Sequence, residues 1–260
     1  MPRFCANLSM LFTEVDFLDR FEAAAKAGFG GVEYLFPYDV EAAALKARLD
    51  ANGLQQVLFN LPAGDWSNGE RGIACHPDRV EEFRAGVDQA IAYAKVLGNT
   101  QVNCLAGIRP QGHDDASVEN TLLNNLEYAA EKLGAAGIRL VMEMINTLDI
   151  PGFYLSNTRQ ALALREKVGS PNLFLQYDIY HMQIMEGDLA RTLEKNLAAI
   201  NHIQLADNPG RHEPGSGEIN YRFLFSHLDR IGYQGWIGCE YKPATSTEAG
   251  LGWLKSHNAV

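Results

Sequence analysis

The sequence predicts an α/β fold, a single (β/α)8 TIM barrel in which residues 1–260 form one domain. The prediction depends on the chain length, on the alternation of eight apolar runs with helical segments, and on the lack of any stretch that would separate two domains. A closed barrel of this kind needs about 250 residues, and this chain has 260. No Pro/Gly/Ser-rich linker, charge run or low-complexity tract interrupts it.

The eight apolar runs are the predicted strands. Each run is short, rich in Val, Ile, Leu or Phe and nearly continuous in hydrophobicity, which is typical of parallel strands covered on both faces. In chain order they span residues 3–8, 31–36, 55–60, 101–106, 139–144, 173–178, 202–207 and 236–241.

Segments with helical spacing follow the strands. In the first, residues 17–28, apolar residues recur on one face and Gly28 ends the helix. Further helices are predicted over residues 80–97, 118–134, 158–168 and 223–231, and they usually close on Gly before the next strand.

Two loops that follow strands are too long for simple turns. The third loop, residues 61–78, carries Gly, Pro and Trp, and the seventh, residues 208–220, is rich in Gly and Pro. Active sites of these barrels are built from the loops at the carboxyl ends of the strands. We therefore expect both loops to cover a pocket there.

The chain carries 22 basic and 32 acidic residues, which gives a formal net charge of −10. This charge argues against binding to nucleic acid or to an anionic membrane, and no apolar run approaches the roughly 18 residues of a membrane span. We expect a cytoplasmic protein with a small-molecule partner, and the sequence is compatible with a homo-oligomer. The four cysteines are scattered without a Cys-x-x-Cys pair, so we expect buried, reduced thiols.

Four late strands place a potential metal ligand near their carboxyl ends, where the strands of a closed barrel converge on one mouth. Three carboxylates and one amide oxygen are hard ligands that suit Mg²⁺ or Mn²⁺ better than zinc. A single acid at a strand end is usually just solvated, but an acid within apolar sequence is expensive to bury unless it is paired or bound to metal. The four candidate ligands are Glu143, Asp178, Gln204 and Glu240.

Three further residues are candidates for substrate binding. His181 follows Asp178 by three residues, so its imidazole is a hydrogen-bond donor to a substrate oxygen, a further metal ligand, or merely a cap of the next helix. Arg211 on the seventh loop suits bidentate binding of a carboxylate, and Arg109 is a weaker candidate for that role. Lys242 points to the same side as Glu240 if the eighth strand continues to alternate.

Motifs for other chemistries are missing from the sequence. It contains no nucleophile elbow, phosphate-binding loop or zinc-protease motif, and its Gly-rich cluster at residues 28–31 ends a helix instead of following a strand. No organic cofactor is therefore expected beside the divalent metal ion.

Six longer stretches carry a family resemblance: ANLSMLF (6–12), NLPAGDW (60–66), GERGIAC (69–75), QYDIYHMQ (176–183), ADNPGRHEPGSGEINY (206–221) and GCEYKP (238–243). Together they resemble the xylose-isomerase-like TIM-barrel superfamily and, within it, the hydroxypyruvate isomerases. The resemblance covers nearly the whole chain.

The resemblance implies a divalent metal on the four candidate ligands. It also implies that Glu143 and Glu240 act as acid/base groups, and it places His181 and Arg211 near the substrate. The implied reaction interconverts hydroxypyruvate and 2-hydroxy-3-oxopropanoate through an enediolate, since a metal at the carbonyl oxygen and a carboxylate base suit that proton transfer.

Other functions remain open at this point. Ketose epimerases look similar over residues 178–181 and 211–217 but usually carry His where this chain has Gln204, whereas 2-oxo-tetronate isomerases share the barrel and the expected metal set. A metal-dependent DNA-repair endonuclease is disfavoured by the charge of −10. A non-catalytic binding barrel is disfavoured by the intact set of ligands.

Overall fold

The structure, a computed structural model, describes residues 2–254. Its strands are β1 (Arg3–Asn7), β2 (Gly31–Glu33), β3 (Gln55–Leu58), β4 (Gln101–Cys104), β5 (Arg139–Glu143), β6 (Leu173–Asp178), β7 (Ile200–Leu205) and β8 (Trp236–Cys239). Its helices are α1 (Arg20–Lys26), α2 (Ala42–Asn52), α3 (Val80–Leu97), α4 (Asp115–Ala135), α5 (Thr158–Val168), α6 (Ile179–Met185), α7 (Leu189–Asn196), α8 (Tyr221–Arg230) and α9 (Thr247–Gly250). Across these residues no helix combines the length and the hydrophobicity needed to span a bilayer.

The strands form one parallel sheet with the hydrogen-bonded order β3-β2-β1-β8-β7-β6-β5-β4. The two outer strands, β3 and β4, meet just beyond the end of β3. There Leu61 N donates to Asn103 O (2.8 Å) and Asn103 N donates to Phe59 O (3.0 Å). This seam closes the sheet into a barrel, and the predicted (β/α)8 architecture is confirmed.

Local sequence signals set the helix boundaries. Gly98 and Gly169 follow α3 and α5 with φ of 70° and 66°, a left-handed conformation that glycine adopts readily, and both helices have the predicted bounds. Helix α4 begins at Asp115 instead of the predicted residue 118. The earlier start has a cause, because Asp114 Oδ1 accepts a hydrogen bond from Ser117 N (2.7 Å) and caps the helix.

The second strand is shorter than the prediction. Strand β2 ends at Glu33 instead of residue 36, and its register with β3 shifts between Val32 and Glu33. Beyond that point Leu35 N donates to Ser9 Oγ (2.9 Å), which lies in the loop after β1. Regular strand pairing therefore ends at the register shift, although the backbones stay in contact beyond it, where Asn60 N donates to Leu35 O (2.9 Å).

Two separate apolar regions flank the sheet. The larger one packs the helices against the outer face of the strands, as Phe21 of α1 and Leu126 of α4 do. The smaller one joins Cys5, Val57 and Val141. Because β1, β3 and β5 are not neighbours in the sheet, this contact crosses the barrel interior, and it leaves the upper interior to polar side chains.

The four cysteines are buried free thiols, as predicted. Burial raises the pKa of the Cys75 thiol to about 12 and raises the pKa values of the other three as well. Their sulfurs are therefore neutral and behave as small apolar groups.

Gly238 faces the barrel interior, where the carboxylate of Glu33 occupies the space that a side chain would need. A Cβ at this position would approach both carboxylate oxygens more closely than van der Waals contact allows. The carboxylate cannot move aside, because His202 Nε2 and Gln204 Nε2 each hold it at 2.7 Å. We expect Gly238→Ala to lower the free energy of unfolding by about 1–3 kcal/mol, the usual cost of overpacking, measured by urea denaturation.

Gly252→Ala is the matched control, since no heavy atom lies within 4 Å of a Cβ built there. Its free energy of unfolding should stay within about 0.5 kcal/mol of the parent value. Equal stabilities for the two variants would contradict the steric argument.

Candidate active site

The four residues predicted to bind metal lie at the carboxyl ends of neighbouring strands. Glu143 and Asp178 end β5 and β6, Gln204 is the next-to-last residue of β7, and Glu240 directly follows β8. None of the four is more than 4% exposed. Since these strands are consecutive in the sheet, barrel closure brings the side chains to one mouth.

Glu143 is a buried carboxyl group with little compensation. Its Oε2 accepts a hydrogen bond from Asn103 Nδ2 (2.9 Å) on β4. Burial raises the pKa of Glu143 well above its usual value, and the negative charges of Glu240 and Asp178 raise it further. The group therefore carries a proton readily unless a cation approaches it.

Asp178 has one oxygen bound to the backbone and one directed toward the mouth. Its Oδ1 accepts a hydrogen bond from Tyr180 N (2.8 Å) and caps α6. Its Oδ2 is buried and has no hydrogen-bond partner within residues 2–254. His181 Nε2 lies 3.6 Å and Arg211 Nη2 lies 3.9 Å from this oxygen.

Glu240 forms an ion pair with the loop after β7. Its Oε2 accepts a hydrogen bond from Arg211 Nη2 (2.9 Å), and its Oε1 accepts a longer one from Asn7 Nδ2 (3.4 Å). Burial raises the pKa of Glu240 to about 8, with Arg211 opposing the rise and Asp178 adding to it. A carboxyl group in this range exchanges protons near neutral pH.

Arg211 is held in place by its backbone as well as by its side chain. Its φ is 53°, and its carbonyl oxygen accepts a hydrogen bond from Lys242 N (2.8 Å). The guanidinium lies 5.1 Å from the ring centroid of Tyr180 and is 20% exposed. Burial lowers the pKa of Arg211, but Glu240 and Asp178 outweigh it and raise the pKa above its usual value.

His181 is a buried neutral imidazole beside the carboxyl groups. Its Nδ1 lies 2.7 Å from Asn146 Nδ2, and its Nε2 lies 4.0 Å from Glu143 Oε1. Burial lowers the pKa of His181 to about 4, although Asp178 opposes this shift. At neutral pH the ring therefore carries no charge.

Gln204 belongs to a second polar layer below the mouth. Its Nε2 donates to Glu33 Oε1 (2.7 Å), and its Oε1 accepts from Gln176 Nε2 (2.5 Å). Glu33 in turn contacts His202 Nε2 (2.7 Å) and accepts from Asn7 Nδ2 (3.0 Å). Gln204 is therefore close to the mouth, but in this structure its amide contacts the lower layer.

The remaining cationic candidates lie at the rim. Lys242 is exposed and lines a cleft of about 440 Å³ between the loops that follow β1, β2 and β8. Arg109 turns outward, where its Nε donates to Asp115 Oδ1 (2.9 Å). Of the three predicted cations, Arg211 is the one whose charge reaches the buried carboxyl groups.

The residues at the mouth fit a divalent metal ion. Three buried carboxyl groups converge here, and among the described residues Arg211 is the guanidinium that contacts them. The unpartnered Asp178 Oδ2 is a free ligand atom, and single atoms of Glu143, Asp178 and His181 lie within 4.8 Å of one another. Carboxyl oxygens grouped in this way suit a divalent cation.

Sequence reasoning missed the amides that support these carboxyl groups. Asn7, Asn103 and Asn146 lie at or just after the ends of β1, β4 and β5, and each donates to an ionisable side chain of the mouth. The available signal was an Asn within or shortly after an apolar run, which recurs along this chain.

Comparison with known proteins agrees with this geometry. A family model described as xylose isomerase-like TIM barrel matches residues 21–257. The chain belongs to this family.

Two similar relatives are isomerases by name. Hydroxypyruvate isomerase of Escherichia coli K12 is 57% identical over 254 residues, which cover 98% of each chain. A 2-oxo-tetronate isomerase of Cupriavidus necator is 51% identical over 257 residues, or 99% of each chain. Among solved structures, an AP endonuclease, family 2, from Brucella melitensis is 48% identical, with a TM-score of 0.96 and 99% coverage of both chains.

Proposed function

We propose that the protein is an isomerase that interconverts hydroxypyruvate and 2-hydroxy-3-oxopropanoate (tartronate semialdehyde). The observation that carries the proposal is the pair of buried carboxyl groups, Glu143 and Glu240, placed across one mouth with raised pKa values. The 57% identity to the E. coli hydroxypyruvate isomerase over nearly the full length supports it.

The reaction moves one proton between two adjacent carbons. A carboxylate removes a proton from the hydroxymethyl carbon, which lies next to the carbonyl, and an enediolate results. A carboxylic acid then protonates the former carbonyl carbon, and the hydroxyl proton passes from the terminal oxygen to the former carbonyl oxygen, so that an aldehyde and a new hydroxyl group form. Glu143 and Glu240 suit these roles because both are buried carboxyl groups at one mouth, at the end of β5 and directly after β8.

The metal-binding residues in this proposal are Glu143, Asp178, Gln204 and Glu240. A divalent ion there, Mg²⁺ or Mn²⁺, supplies Lewis-acid stabilisation of the negative charge that develops on the substrate oxygens. The three carboxyl groups support this assignment directly, while Gln204 contributes only after its amide oxygen leaves Gln176. No organic cofactor is needed, since the reaction transfers no electrons to an external acceptor.

The substrate carboxylate requires a cationic partner beside the reacting carbons. Arg211 has the rigid geometry for this role, because its backbone is held by Lys242 N and its guanidinium faces Glu240. His181 offers a neutral group near Glu143. Lys242 lies farther out and suits the distal end of a longer acid.

Two related functions are the alternatives. Because a 2-oxo-tetronate isomerase is 51% identical over nearly the full chain, a four-carbon oxo acid is the main competing substrate. The name of the Brucella structure introduces endonuclease activity as the second alternative. The net charge of −10 and the acidic mouth disfavour binding of a phosphodiester backbone. The free thiols support a reducing, cytoplasmic location.

Purified protein supplied with Mg²⁺ or Mn²⁺ should convert hydroxypyruvate to the semialdehyde without nicotinamide or any other organic cofactor. Product formation is followed by ¹³C NMR, with 2-oxo-tetronate assayed in parallel and a chelator-treated sample as the control. A higher kcat/KM for 2-oxo-tetronate would move the assignment to the four-carbon acid. Turnover of neither acid, or cleavage of abasic DNA instead, would refute the proposal.

Glu143→Gln and Glu240→Gln keep the side-chain size and one oxygen but remove the proton-accepting carboxylate. Each should lower kcat by at least about 100-fold while the melting temperature shows that the fold is intact. Glu127→Gln, on the exposed face of α4, is the matched control and should keep the parent rate. A near-parental rate in either site variant would remove that glutamate from catalysis.

Arg211→Met should raise KM for hydroxypyruvate about 10- to 100-fold, which corresponds to ~1.5–3 kcal/mol for a charged hydrogen bond. The KM for the uncharged three-carbon ketose dihydroxyacetone should rise much less, although both substrates experience the same change around Glu240. Arg109→Met is the control, since that residue pairs with Asp115 at the rim. An equal rise in KM for both substrates would show that Arg211 supports the loop structure instead of binding the carboxylate.

A further inference from the structure

Asn146, in the loop after β5, has a side-chain amide with a fixed orientation. The residue is fully buried, and its Oδ1 accepts hydrogen bonds from the backbone nitrogens of Leu148 (3.1 Å) and Asp149 (2.7 Å). Backbone nitrogens only donate, so the oxygen of the amide must face them. The Nδ2 group consequently faces the other way.

On that other side, Asn146 Nδ2 lies 3.0 Å from Asp149 Oδ2 and 2.7 Å from His181 Nδ1. An amide NH₂ group has no lone pair to offer, so His181 Nδ1 must be the acceptor of this short bond. The proton of the neutral ring is thereby placed on Nε2. The assignment follows from the chain of donors and acceptors that begins at two backbone amides.

The protonated nitrogen of His181 is directed into the mouth. Its Nε2 lies 3.6 Å from Asp178 Oδ2 and 4.0 Å from Glu143 Oε1. These distances leave the N–H beside both carboxyl groups without a short bond to either. A neutral ring with its proton on Nε2 presents a hydrogen atom, and no lone pair, to anything bound there.

We infer that Asn146 is a positioning residue that fixes the Nε2–H tautomer of His181, which makes His181 a hydrogen-bond donor to a substrate oxygen and excludes it from the metal ligands. The inference depends on the proposed function only for the identity of that oxygen. It separates two roles that the sequence leaves open, and it removes His181 from the cluster of Glu143, Asp178 and His181 that geometry alone offers to a metal.

The first test is the tautomer of His181 in the metal-free full chain. Protein with ¹⁵N-labelled histidine is examined by long-range ¹H–¹⁵N NMR, with the ring signals assigned by their loss in His181→Gln. The expected spectrum has the proton on Nε2. A proton on Nδ1 in the parent protein would overturn the inference whether or not the protein proves to be an isomerase.

The second test exchanges the donor and the acceptor. In the double variant Asn146→Asp with Asp149→Asn, residue 146 still accepts from the two backbone nitrogens and residue 149 becomes the donor between them. A carboxylate facing His181 Nδ1 should pull the ring proton to that nitrogen, and kcat should fall at least about 10-fold with a smaller change in KM. Retention of the Nε2–H tautomer in this variant would show that Asn146 does not set it.

Asp149→Asn alone is the matched control for the loop. It alters the contact between Asn146 Nδ2 and the side chain of residue 149. The backbone hydrogen bonds to Asn146 Oδ1 stay intact, so the Nε2–H tautomer of His181 should persist. A switched tautomer in this control would assign the effect to Asp149 and would overturn the role of Asn146.

The third test measures binding of Mn²⁺ alone by calorimetry. His181→Gln should leave the dissociation constant within about twofold of the parent value, whereas Asp178→Asn should weaken binding by at least about 10-fold. A comparable weakening in His181→Gln would make His181 a ligand and would refute the inference. This measurement uses no substrate, so its result is independent of the isomerase assay.

Discussion

The structure depends on the burial of four carboxyl groups inside one barrel. Removing a carboxylate from water costs several kcal/mol unless partners compensate, and Glu33, Glu143, Asp178 and Glu240 are each at most 4% exposed. In the lower layer, burial pushes the pKa of Glu33 upward, but His202 and the amides of Gln204 and Asn7 outweigh it and leave the pKa below its usual value. In that layer the hydrogen bonds and the imidazole therefore compensate the buried carboxylate. The upper layer has three carboxyl groups near Arg211, and carboxyl groups gathered in this way favour a cation between them.

The loop that brings Arg211 to this charge is built as a rigid support. Asp207, just after β7, accepts hydrogen bonds from Ile219 N (3.0 Å) and Gly215 N (2.8 Å), so one carboxylate ties the two ends of the loop together. Lys242 N then fixes the carbonyl of Arg211 from the next loop. The many Gly and Pro residues of this segment therefore specify one conformation, and a guanidinium held in advance loses little entropy when it binds a carboxylate.

The sequence was sufficient for the barrel and for the positions of the strand-end acids, because eight continuous apolar runs alternate with helical segments in a short chain. It was insufficient where side-chain direction decides the chemistry. Strand alternation predicts Lys242 on the same side as Glu240. However, β8 ends at Cys239, and side chains beyond that residue need not alternate between the two faces of the sheet. The roles of Asn146 and Glu33 depend on hydrogen bonds between segments distant in sequence, and no spacing rule encodes which end of an amide faces its neighbour.

The four cysteines can report where the barrel opens, because they lie at different places relative to the seam between β3 and β4. Cys104 lies on the strand at the seam, Cys5 and Cys239 lie on the paired strands β1 and β8, and Cys75 lies in the third loop. Each thiol is buried, so a thiol-specific reagent reaches it only when that part of the chain opens. The relative labelling rates in the native state thus distinguish a barrel that first parts at its seam from one that unfolds as a unit.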